Sequence, residues 1–367
     1  MTFGLSIRQV YCINANQIHE GKQIQASIAN TNVEIPNSTK KDEVVLSRDG
    51  KIVEFQPTNR VAENQWAANP LVKELYGKKK LVPDMTQTNT TTDEFALLFL
   101  KSQIISDPFH FLDESWSQRV KSLNLSNMAL TGRIPREFGN PTFLVSLDLE
   151  SNNFQGNLPQ EMARLRRLRF LDLSFNKFRG EVPSWFGFLH QLQVLNLRNN
   201  SFTGSIPSSF SNISTLDTLN LNFNSIEGQI PKVIGNLREL KLRGNNLIGS
   251  IPLSLANTSR LEVLDISDNS LQGNIPEGIG NLHNMKLLAI QYNQLTGYIP
   301  FTIFNISRIE FIAFTANSLS GYLPNGLCNG LPILKGLYLS TNKLRGHMPT
   351  SLPNCSLLQI LSLSENE

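Results

Sequence analysis

The histidines of this 367-residue chain show no spacing that supports catalysis or metal binding. None stands beside a nucleophile motif, and none is separated from another by the short intervals typical of metal ligands. The five are His19, His110, His190, His283 and His347. The sequence also lacks the Gly-rich loop, the H-R-D and the D-F-G of protein kinases. We therefore predict that the chain is not an enzyme and has no metal centre and no cofactor.

Asparagine is the polar residue with the most regular spacing. Ten asparagines recur at intervals of 24 residues, with one interval of 21 and one of 25: Asn152, Asn176, Asn200, Asn224, Asn245, Asn269, Asn293, Asn317, Asn342 and Asn366. A buried carboxamide offers two N–H donors and two acceptor lone pairs. A column of stacked asparagines would therefore satisfy backbone groups at the point where each repeat bends.

Each asparagine belongs to a longer repeat, such as DLSFNKFRGEVP at 172–183 and DISDNSLQGNIP at 265–276. The L-x-L step before the asparagine predicts a short strand with one buried face. The glycine permits a positive φ or a close backbone approach, and the proline fixes φ. The Leu-x-x-Leu step, for example Leu189 and Leu192, suits a short helical or 3₁₀ turn on the opposite side.

One repeat cannot bury its own leucines, but stacked repeats can. Of the 53 leucines, 48 lie in residues 91–367. The pattern predicts an α/β fold: a right-handed solenoid, or horseshoe, with a parallel concave β-sheet and short 3₁₀ or helical turns on the convex side. Each repeat would form one coil of the solenoid. The sixth coil is three residues shorter than most of the others, so we expect a local irregularity there and no break in the sheet.

The consensus L-x-x-L-x-L-x-x-N-x-L-x-G-x-I-P resembles the plant-specific class of leucine-rich repeats. The stretch DEFALLFLK at 93–101, with Asp107-Pro108 and Trp116, resembles the helical N-terminal cap of plant leucine-rich repeat receptor-like serine/threonine kinases. The first coil, LNLSNMALTGRIP at 123–135, is similar to their defence-type subfamily. The resemblance implies a short cap at 93–117 and, at 118–367, about ten complete coils and a partial last one.

The sequence also departs from that family. The Cys pair that the family carries after the cap tryptophan is missing, so the predicted cap is incomplete. Residues 1–92 form an unassigned segment, which we expect to be partly disordered with a hairpin at 44–55. The chain shows no clear signal peptide and no apolar stretch of 18 residues, and we interpret it as an ectodomain fragment.

The resemblance implies ligand recognition in plant defence or developmental signalling. A peptide or protein ligand would bind the concave face, with the ectodomain of a co-receptor kinase as second partner, at the extracellular face of the plasma membrane. The alternatives are a secreted binding protein similar to the polygalacturonase-inhibiting proteins and a truncated, non-functional product. The net charge of +3 gives no support for nucleic-acid binding.

Outward-facing positions of the concave strands are the candidate ligand contacts, because they are free of packing duties. Aromatic and arginine side chains are the types that dominate binding energy. The candidates are Phe170, Phe175, Val194, Arg198, Phe223, Arg243, Tyr292 and Phe311. Covering of neighbouring strands would explain Phe175, Phe223 and Tyr292 equally well.

The sequence also contains candidate sites for two covalent modifications, glycosylation and disulfide formation. Sequons in the repeats mark Asn124, Asn212, Asn257, Asn305 and Asn354 as glycosylation candidates, and Asn37 and Asn89 carry sequons upstream. Cys328 and Cys355 belong to neighbouring coils at different offsets from the preceding glycine. We therefore favour two buried free thiols over a disulfide.

Overall fold

The computed structural model describes residues 10–12, 43–46, 52–56, 92–108, 121–140, 142–235 and 237–367. They fall into two compact units, which are treated separately. In the first unit the strands Val10–Cys12, Glu43–Leu46 and Ile52–Gln56 form an antiparallel sheet. The last two strands pair with Val44 opposite Phe55, within the range expected for the hairpin. The turn that joins them lies outside the described residues.

The second unit is built on a parallel sheet in which each strand comes from one L-x-L step. We number the coils 1 to 11 by these strands. In order they are Ser122–Asn124, Ser146–Asp148, Phe170–Asp172, Val194–Asn196, Thr218–Asn220, Glu239–Lys241, Val263–Asp265, Leu287–Ala289, Phe311–Ala313, Gly336–Tyr338 and Ile360–Ser362. Successive strands pair in register, so that Leu195 lies between Leu171 and Leu219. The predicted parallel sheet is confirmed.

The side chains that point inward from these coils form one continuous core. Leu171, Leu195 and Leu219 are completely buried. Phenylalanines fill the same place in coils 2 to 4, where Phe154, Phe178 and Phe202 stack with ring centroids 6.3 and 6.4 Å apart. Since each inward side chain packs on those of the coils above and below, no coil completes its core alone.

A second set of strands follows the asparagines and forms two further sheets. The first contains Ile104–Ser106, Thr131–Gly132, Asn153–Gly156, Lys177–Glu181 and Ser201–Thr203. The second contains Glu227–Gly228, Asn246–Gly249, Ser270–Asn274, Gln294–Tyr298, Ser318–Tyr322 and Lys343–Arg345. An isolated bridge between Ser205 and Glu227 links the two sheets, and the Glu227 N–H donates to the Gly204 carbonyl oxygen at 2.8 Å.

Short 3₁₀ turns complete most coils. They span Arg136–Gly139, Gln160–Arg164, Ser184–Phe188, Ser208–Asn212, Leu253–Asn257, Glu277–Asn281, Phe301–Asn305, Leu327–Gly330 and Leu352–Asn354. The proline of the repeat opens most of them, as Pro183 does with φ −66°. The turn Ser184–Phe188 ends before Leu189, so it is additional to the short turn that the sequence predicts at the Leu-x-x-Leu step, which is confirmed. The Leu-x-x-Leu step forms a separate turn in which Leu192 N donates to Leu189 O at 2.9 Å.

The shortened sixth coil shows the local irregularity that its length predicts. Within the described part of the chain, no 3₁₀ turn lies between Ser208–Asn212 and Leu253–Asn257. The concave sheet nevertheless continues through this coil, with Leu219 opposite Leu240 and Leu240 opposite Leu264. The three missing residues are therefore removed from the convex side, and the concave sheet keeps its register.

An α-helix, Thr92–Gln103, precedes the first coil, where the resemblance implies a helical cap. Its Leu97 and Leu100 are fully buried. The strand after it, Ile104–Ser106, pairs antiparallel with Thr131–Gly132. A Cβ atom at Gly132 would lie 2.4 Å from the carbonyl oxygen of Gln103, so this contact requires glycine. The stretch around Trp116 lies outside the described residues.

The expectation of two free thiols in the repeats was wrong, because Cys328 and Cys355 form a disulfide with their Cα atoms 5.2 Å apart. Cys328 lies within one 3₁₀ turn and Cys355 directly follows the next. The N–H of Cys328 donates to the Ser351 hydroxyl at 3.0 Å, which holds the two turns side by side. The packing of the turns, rather than the distance from the glycine, brings the two sulfurs together.

The ten repeated asparagines all make the same kind of contacts. In the Asn200 side chain, Oδ1 accepts from the N–H of Phe178 at 3.0 Å. Its Nδ2 donates to the carbonyl oxygens of Leu173, Leu197 and Arg198 at 2.9 to 3.2 Å. Asn245 repeats this pattern across the short coil, with Ile226 N–H as donor and Leu221 O as acceptor. The carboxamides therefore join each coil to the preceding one.

Replacing Asn245 with alanine should destabilise the solenoid. The change leaves the Ile226 N–H and the Leu221 and Leu242 carbonyl groups without the amide that now satisfies them. We expect the free energy of unfolding to fall by about 2–4 kcal/mol. Denaturant unfolding of the full chain measures the loss. The matched control is Asn246→Ala at the exposed neighbouring position, and an equal loss in the two variants would contradict the assigned role.

Candidate ligand-binding face

In each of the eleven coils, the concave face consists of the strand residues that point outward and of two further residues. These two follow the second buried leucine of the L-x-L step, or the residue that takes its place. In coil 4 these are Val194, Asn196, Arg198 and Asn199, which alternate with or follow the buried Leu195 and Leu197. The same pattern repeats in every coil because the strands pair in register. Side chains from successive coils therefore stand in straight rows across the sheet.

All eight residues that the sequence suggests as ligand contacts lie on the concave face. Phe170, Val194 and Phe311 open the strands of coils 3, 4 and 9, and the first two are direct neighbours in the sheet. The other five follow the strands of coils 3, 4, 5, 6 and 8: Phe175, Arg198, Phe223, Arg243 and Tyr292. The structure gathers four of these five into one cluster, and Tyr292 and Phe311 lie farther along the sheet.

Three of the aromatic candidates occupy an unusual backbone position. Phe175, Phe223 and Tyr292 each directly precede an asparagine of the column and have φ of 53°, 56° and 54°. A bulky side chain in this left-handed region is unfavourable, whereas Gly244 in coil 6 adopts it easily. Phe175 is 37% exposed and Tyr292 51% exposed. Aromatic side chains therefore occupy strained positions while much of their surface stays open to solvent.

Aromatic rings and arginines alternate across coils 3 to 6. The guanidinium carbon of Arg198 lies 5.1 Å from the ring centre of Phe175 and 5.3 Å from that of Phe223. Arg243 approaches Phe223 from the next coil at 5.7 Å. We call these four residues the arginine–phenylalanine stack. Such cation–π contacts are worth about 0.5–2 kcal/mol each and hold the side chains in defined positions.

The charges beside the stack are unevenly neutralised. Arg243 Nε lies 2.6 Å from Asp268 Oδ2, and Lys241 Nζ lies 2.7 Å from Glu239 Oε2. Arg198 has no carboxylate within 4.0 Å among the described residues, and its Nε is buried without a hydrogen-bond acceptor there. The sequence could not show this difference, since it depends on which side chain each arginine reaches.

An acidic patch lies on coils 2 and 3 and is formed by Asp148, Glu150 and Asp172. Asp148 and Asp172 are direct partners across the sheet. Burial raises the pKa of the Asp148 carboxyl, and the Asp172 charge adds to this effect. Burial also raises the pKa of Glu150, and Asp172 and Asp148 raise it further, while Arg198 acts in the opposite direction. The site prediction omitted this patch because aspartate between the two leucines recurs in the repeat.

Coils 8 to 10 present an apolar surface on the same face. The partly exposed Leu287 and Phe311 lie beside the small residues Ala289 and Ala313. In coil 10 the rings of Tyr338 and Phe311 would lie 2.7 and 2.9 Å from a Cβ atom at Gly336, so they cover this glycine. Only Phe311 of this surface was among the predicted contacts, although alternation with the buried strand leucines marks the others.

The described residues contain no group of three or more His, Cys, Asp or Glu side chains placed to hold a metal ion. Within the same residues, no helix is both long enough and apolar enough to cross a membrane. The chemistry of this face consists of charges, aromatic rings and apolar side chains on a regular sheet, which is suited to binding.

Comparison with known proteins assigns the repeat to a family. The leucine-rich repeat profiles match residues 119–141, 143–165, 167–189, 182–226, 236–258 and 260–282. A leucine-rich repeat protein of Leptospira interrogans is 30% identical over 68% of this chain and 67% of its own, with a TM-score of 0.51. The chain is a leucine-rich repeat protein. The predicted solenoid class is therefore confirmed, and no curated protein matches the sequence.

Solved structures of plant proteins are similar to this solenoid. The peptide hormone receptor RGFR1, solved with RGF2, is 34% identical over 67% of this chain and 43% of its own, with a TM-score of 0.62. The Arabidopsis receptor kinase HAESA, solved with the peptide hormone IDA and the co-receptor SERK1, is 25% identical over 76% and 62%, at 0.53. A plant ice-binding protein is 26% identical over 76% and 99%, at 0.63. The chain thus spans less than half of the RGFR1 chain.

Replacing Asp148 with asparagine should stabilise the leucine-rich repeat solenoid at neutral pH. The amide keeps the acceptor oxygen that binds the Glu150 N–H at 3.0 Å but removes the charge opposite Asp172. Because the folded state raises the pKa of Asp148, ionisation weakens folding as the pH rises through that pKa.

We expect this variant to gain roughly 0.2–1 kcal/mol at pH 7 and to lose the gain at about pH 3, below the ordinary aspartate pKa of about 3.9, where the raised pKa leaves Asp148 protonated. Thermal unfolding at both pH values measures it, with Glu161→Gln as the control acid outside the patch. A gain of the same size at both pH values would contradict the charge argument.

Proposed function

We propose that this solenoid is the ligand-recognition region of a plant leucine-rich repeat receptor-like kinase, acting in defence or developmental signalling, and that it binds a peptide on its concave face. The similarity to RGFR1, solved with RGF2, supports this proposal. The observation that carries it is the arginine–phenylalanine stack, with aromatic side chains held at strained positions of the concave face. Rigid aromatic and arginine side chains are the types that dominate peptide binding.

The ectodomain of a co-receptor kinase is the proposed second partner, supported by the HAESA structure that contains SERK1. The proposed location is the extracellular face of the plasma membrane. Here the chain contributes recognition, and phosphorylation belongs to a kinase domain, whose signatures this sequence lacks.

A stand-alone binding protein is the second candidate, and the notion of an inhibitor similar to the polygalacturonase-inhibiting proteins falls in this class. The observation that favours it is the match to the plant ice-binding protein over 99% of that chain. A plant protein with a similar solenoid is therefore described as ice-binding and not as a peptide receptor. The fold alone does not choose between the two candidates.

Selection from a random peptide library on the full chain tests the leading proposal. The matched variant combines two substitutions, Phe175→Asn and Tyr292→Asn. Asparagine is chosen because Asn199 already adopts the same backbone conformation. The control is Tyr322→Ser, whose side chain is 65% exposed in the second set of strands. We expect the selected peptides to bind the matched variant at least about tenfold more weakly and the control unchanged. Failure to select any peptide, or equal binding by the matched variant, would overturn the proposal.

Glycosylation is proposed for the five candidate asparagines, all of them exposed. Asn212, Asn257, Asn305 and Asn354 each end a 3₁₀ turn, and they occur in every second coil. Asn124 instead lies on the concave strand of coil 1. Secretion from plant cells should add glycans that peptide N-glycosidase removes, and the change in peptide mass identifies each site. An unmodified asparagine in the secreted protein would exclude that site.

A further inference from the structure

A short stretch before the strand of coil 3 carries four arginines. Its sequence is RLRRLR at 164–169, and it joins the 3₁₀ turn Gln160–Arg164 to the strand Phe170–Asp172. Leu165 and Leu168 of this stretch are completely buried, so the arginines around them point outward. All four are exposed, and we call them the arginine surface: Arg164, Arg166, Arg167 and Arg169.

The positive charge of the arginine surface is not neutralised by the described part of the chain. None of its guanidinium groups forms an ion pair there, even with Glu161 of the same 3₁₀ turn. Arg164 reaches Asn140 Oδ1 only at 3.5 Å, and Arg167 lies 4.9 Å from the centre of the Phe143 ring. Neither contact removes charge, and like charges so close in the chain repel one another. An added anion would therefore relieve this repulsion.

Later coils show that charge at the same place is normally compensated. The residue directly before the strand alternates in sign through coils 5 to 10: Asp217, Arg238, Glu262, Lys286, Glu310 and Lys335. Neighbours in this row form ion pairs, as Lys286 Nζ does with Glu262 Oε2 at 2.7 Å. Arg169 takes this position in coil 3, where its neighbours in coils 2 and 4 are the uncharged Val145 and Gln193. The arginine surface is thus an exception within the chain's own pattern.

The arrangement favours a linear polyanion over a single anion. The four side chains leave the backbone at successive points between the 3₁₀ turn and the strand of coil 3. One carboxylate forms a bidentate contact with one guanidinium group, whose planar fork it fits. A ligand with one carboxylate would thus use one arginine, whereas a polymer with repeated carboxylates pairs with several at once.

The neighbours of the arginine surface favour a polymer that is polar as well as charged. Exposed hydroxyl, imidazole and amide side chains occupy the corresponding positions of the adjacent coils: Thr142, His190, Gln191 and Gln193. Among the described residues at these positions, Phe188 is the one exposed large apolar side chain. Protein interfaces have an apolar centre, and single-stranded nucleic acids stack on aromatic rings. Amides and hydroxyls instead suit sugar hydroxyl groups, which points to an acidic polysaccharide.

The proposed glycans on the 3₁₀ turns leave this surface accessible. Those glycan sites occur in every second coil from Asn212 onward, and Arg164 takes the place that the alternation would give to coil 3. Asn140 holds the equivalent place one coil earlier, but the proline that follows it excludes a sequon. A polymer could therefore reach the arginines in the glycosylated protein.

We propose that the arginine surface is a second binding site, which takes an acidic polysaccharide whose uronate carboxylates pair with the guanidinium groups. The site lies outside the concave face and does not depend on peptide recognition. A polymer bound there leaves the concave face free for another ligand.

The experiment uses the full chain, with a galacturonate decamer as the probe and calorimetry as the measurement. The test variant combines Arg164→Gln, Arg166→Gln and Arg167→Gln. The control variant removes the same charge from exposed positions in the second set of strands: Lys177→Gln, Arg179→Gln and Lys343→Gln. Thermal unfolding verifies that both variants are folded.

We expect the test variant to bind the decamer at least about tenfold more weakly than the wild type, because it loses several charged hydrogen-bonded contacts. Its affinity should also fall less steeply with salt, since fewer anionic groups are paired. The control variant should stay within about twofold of the wild type, and the methyl-esterified decamer should not bind. Equal weakening in the two variants would show that only net charge matters, and it would overturn the site, as would absence of binding to the wild type.

Two competitors test the class of polymer. Decaglutamate and single-stranded DNA of the same length carry similar charge without uronate sugars. We expect both to bind more weakly than the galacturonate decamer, and equal or tighter binding of either would overturn the assignment to a polysaccharide. Peptides selected on the full chain should bind the test variant as they bind the wild type. Failure of the peptide selection would therefore leave this site standing, and failure of decamer binding would leave the proposed function standing.

Discussion

The carboxamide of one asparagine in each coil is the contact on which the rest of this solenoid depends. Its oxygen accepts an N–H from the preceding coil and its nitrogen donates to carbonyl groups of both coils, as Asn200 and Asn269 show. These backbone groups lie where the chain turns out of the concave strand, in partly buried surroundings. The side chain therefore takes the place of the strand partners that the bend removes.

The same bend determines what the concave face can present. The residue before each asparagine must adopt a positive φ, as Ser151, Phe175 and Asp268 do, so its side chain leaves the sheet in a fixed direction. The strand positions before it stand in rows because the register never slips, even through the short sixth coil. Binding groups on this face are consequently fixed before a ligand arrives, which lowers the entropy lost on binding. The scaffold itself is similar to that of a receptor and of an ice-binding protein, so the fold alone does not identify a function.

Much of this architecture could be predicted from the sequence because the repeat reports it directly. The L-x-L step gave the strands, and the 21-residue interval located the irregularity of coil 6 on the convex side. The turn after Pro183 and the pairing of Cys328 with Cys355 could not be derived in this way. Both depend on how adjacent 3₁₀ turns pack, which offsets along the chain do not measure. For the face, the sequence indicated which side chains point outward, but the partners of Arg198 and Arg243 depend on the reach and rotamers of long side chains.

The asparagine column keeps the concave sheet continuous across all coils. Native-state hydrogen exchange of the backbone amides that bond to the column tests it most directly, and the Ile226 amide at the short coil is the decisive one. We expect this amide to exchange as slowly as those of Phe178 and Leu271 in regular coils. Fast exchange at Ile226 beside slow exchange at the other two would show instead that the column is interrupted at coil 6.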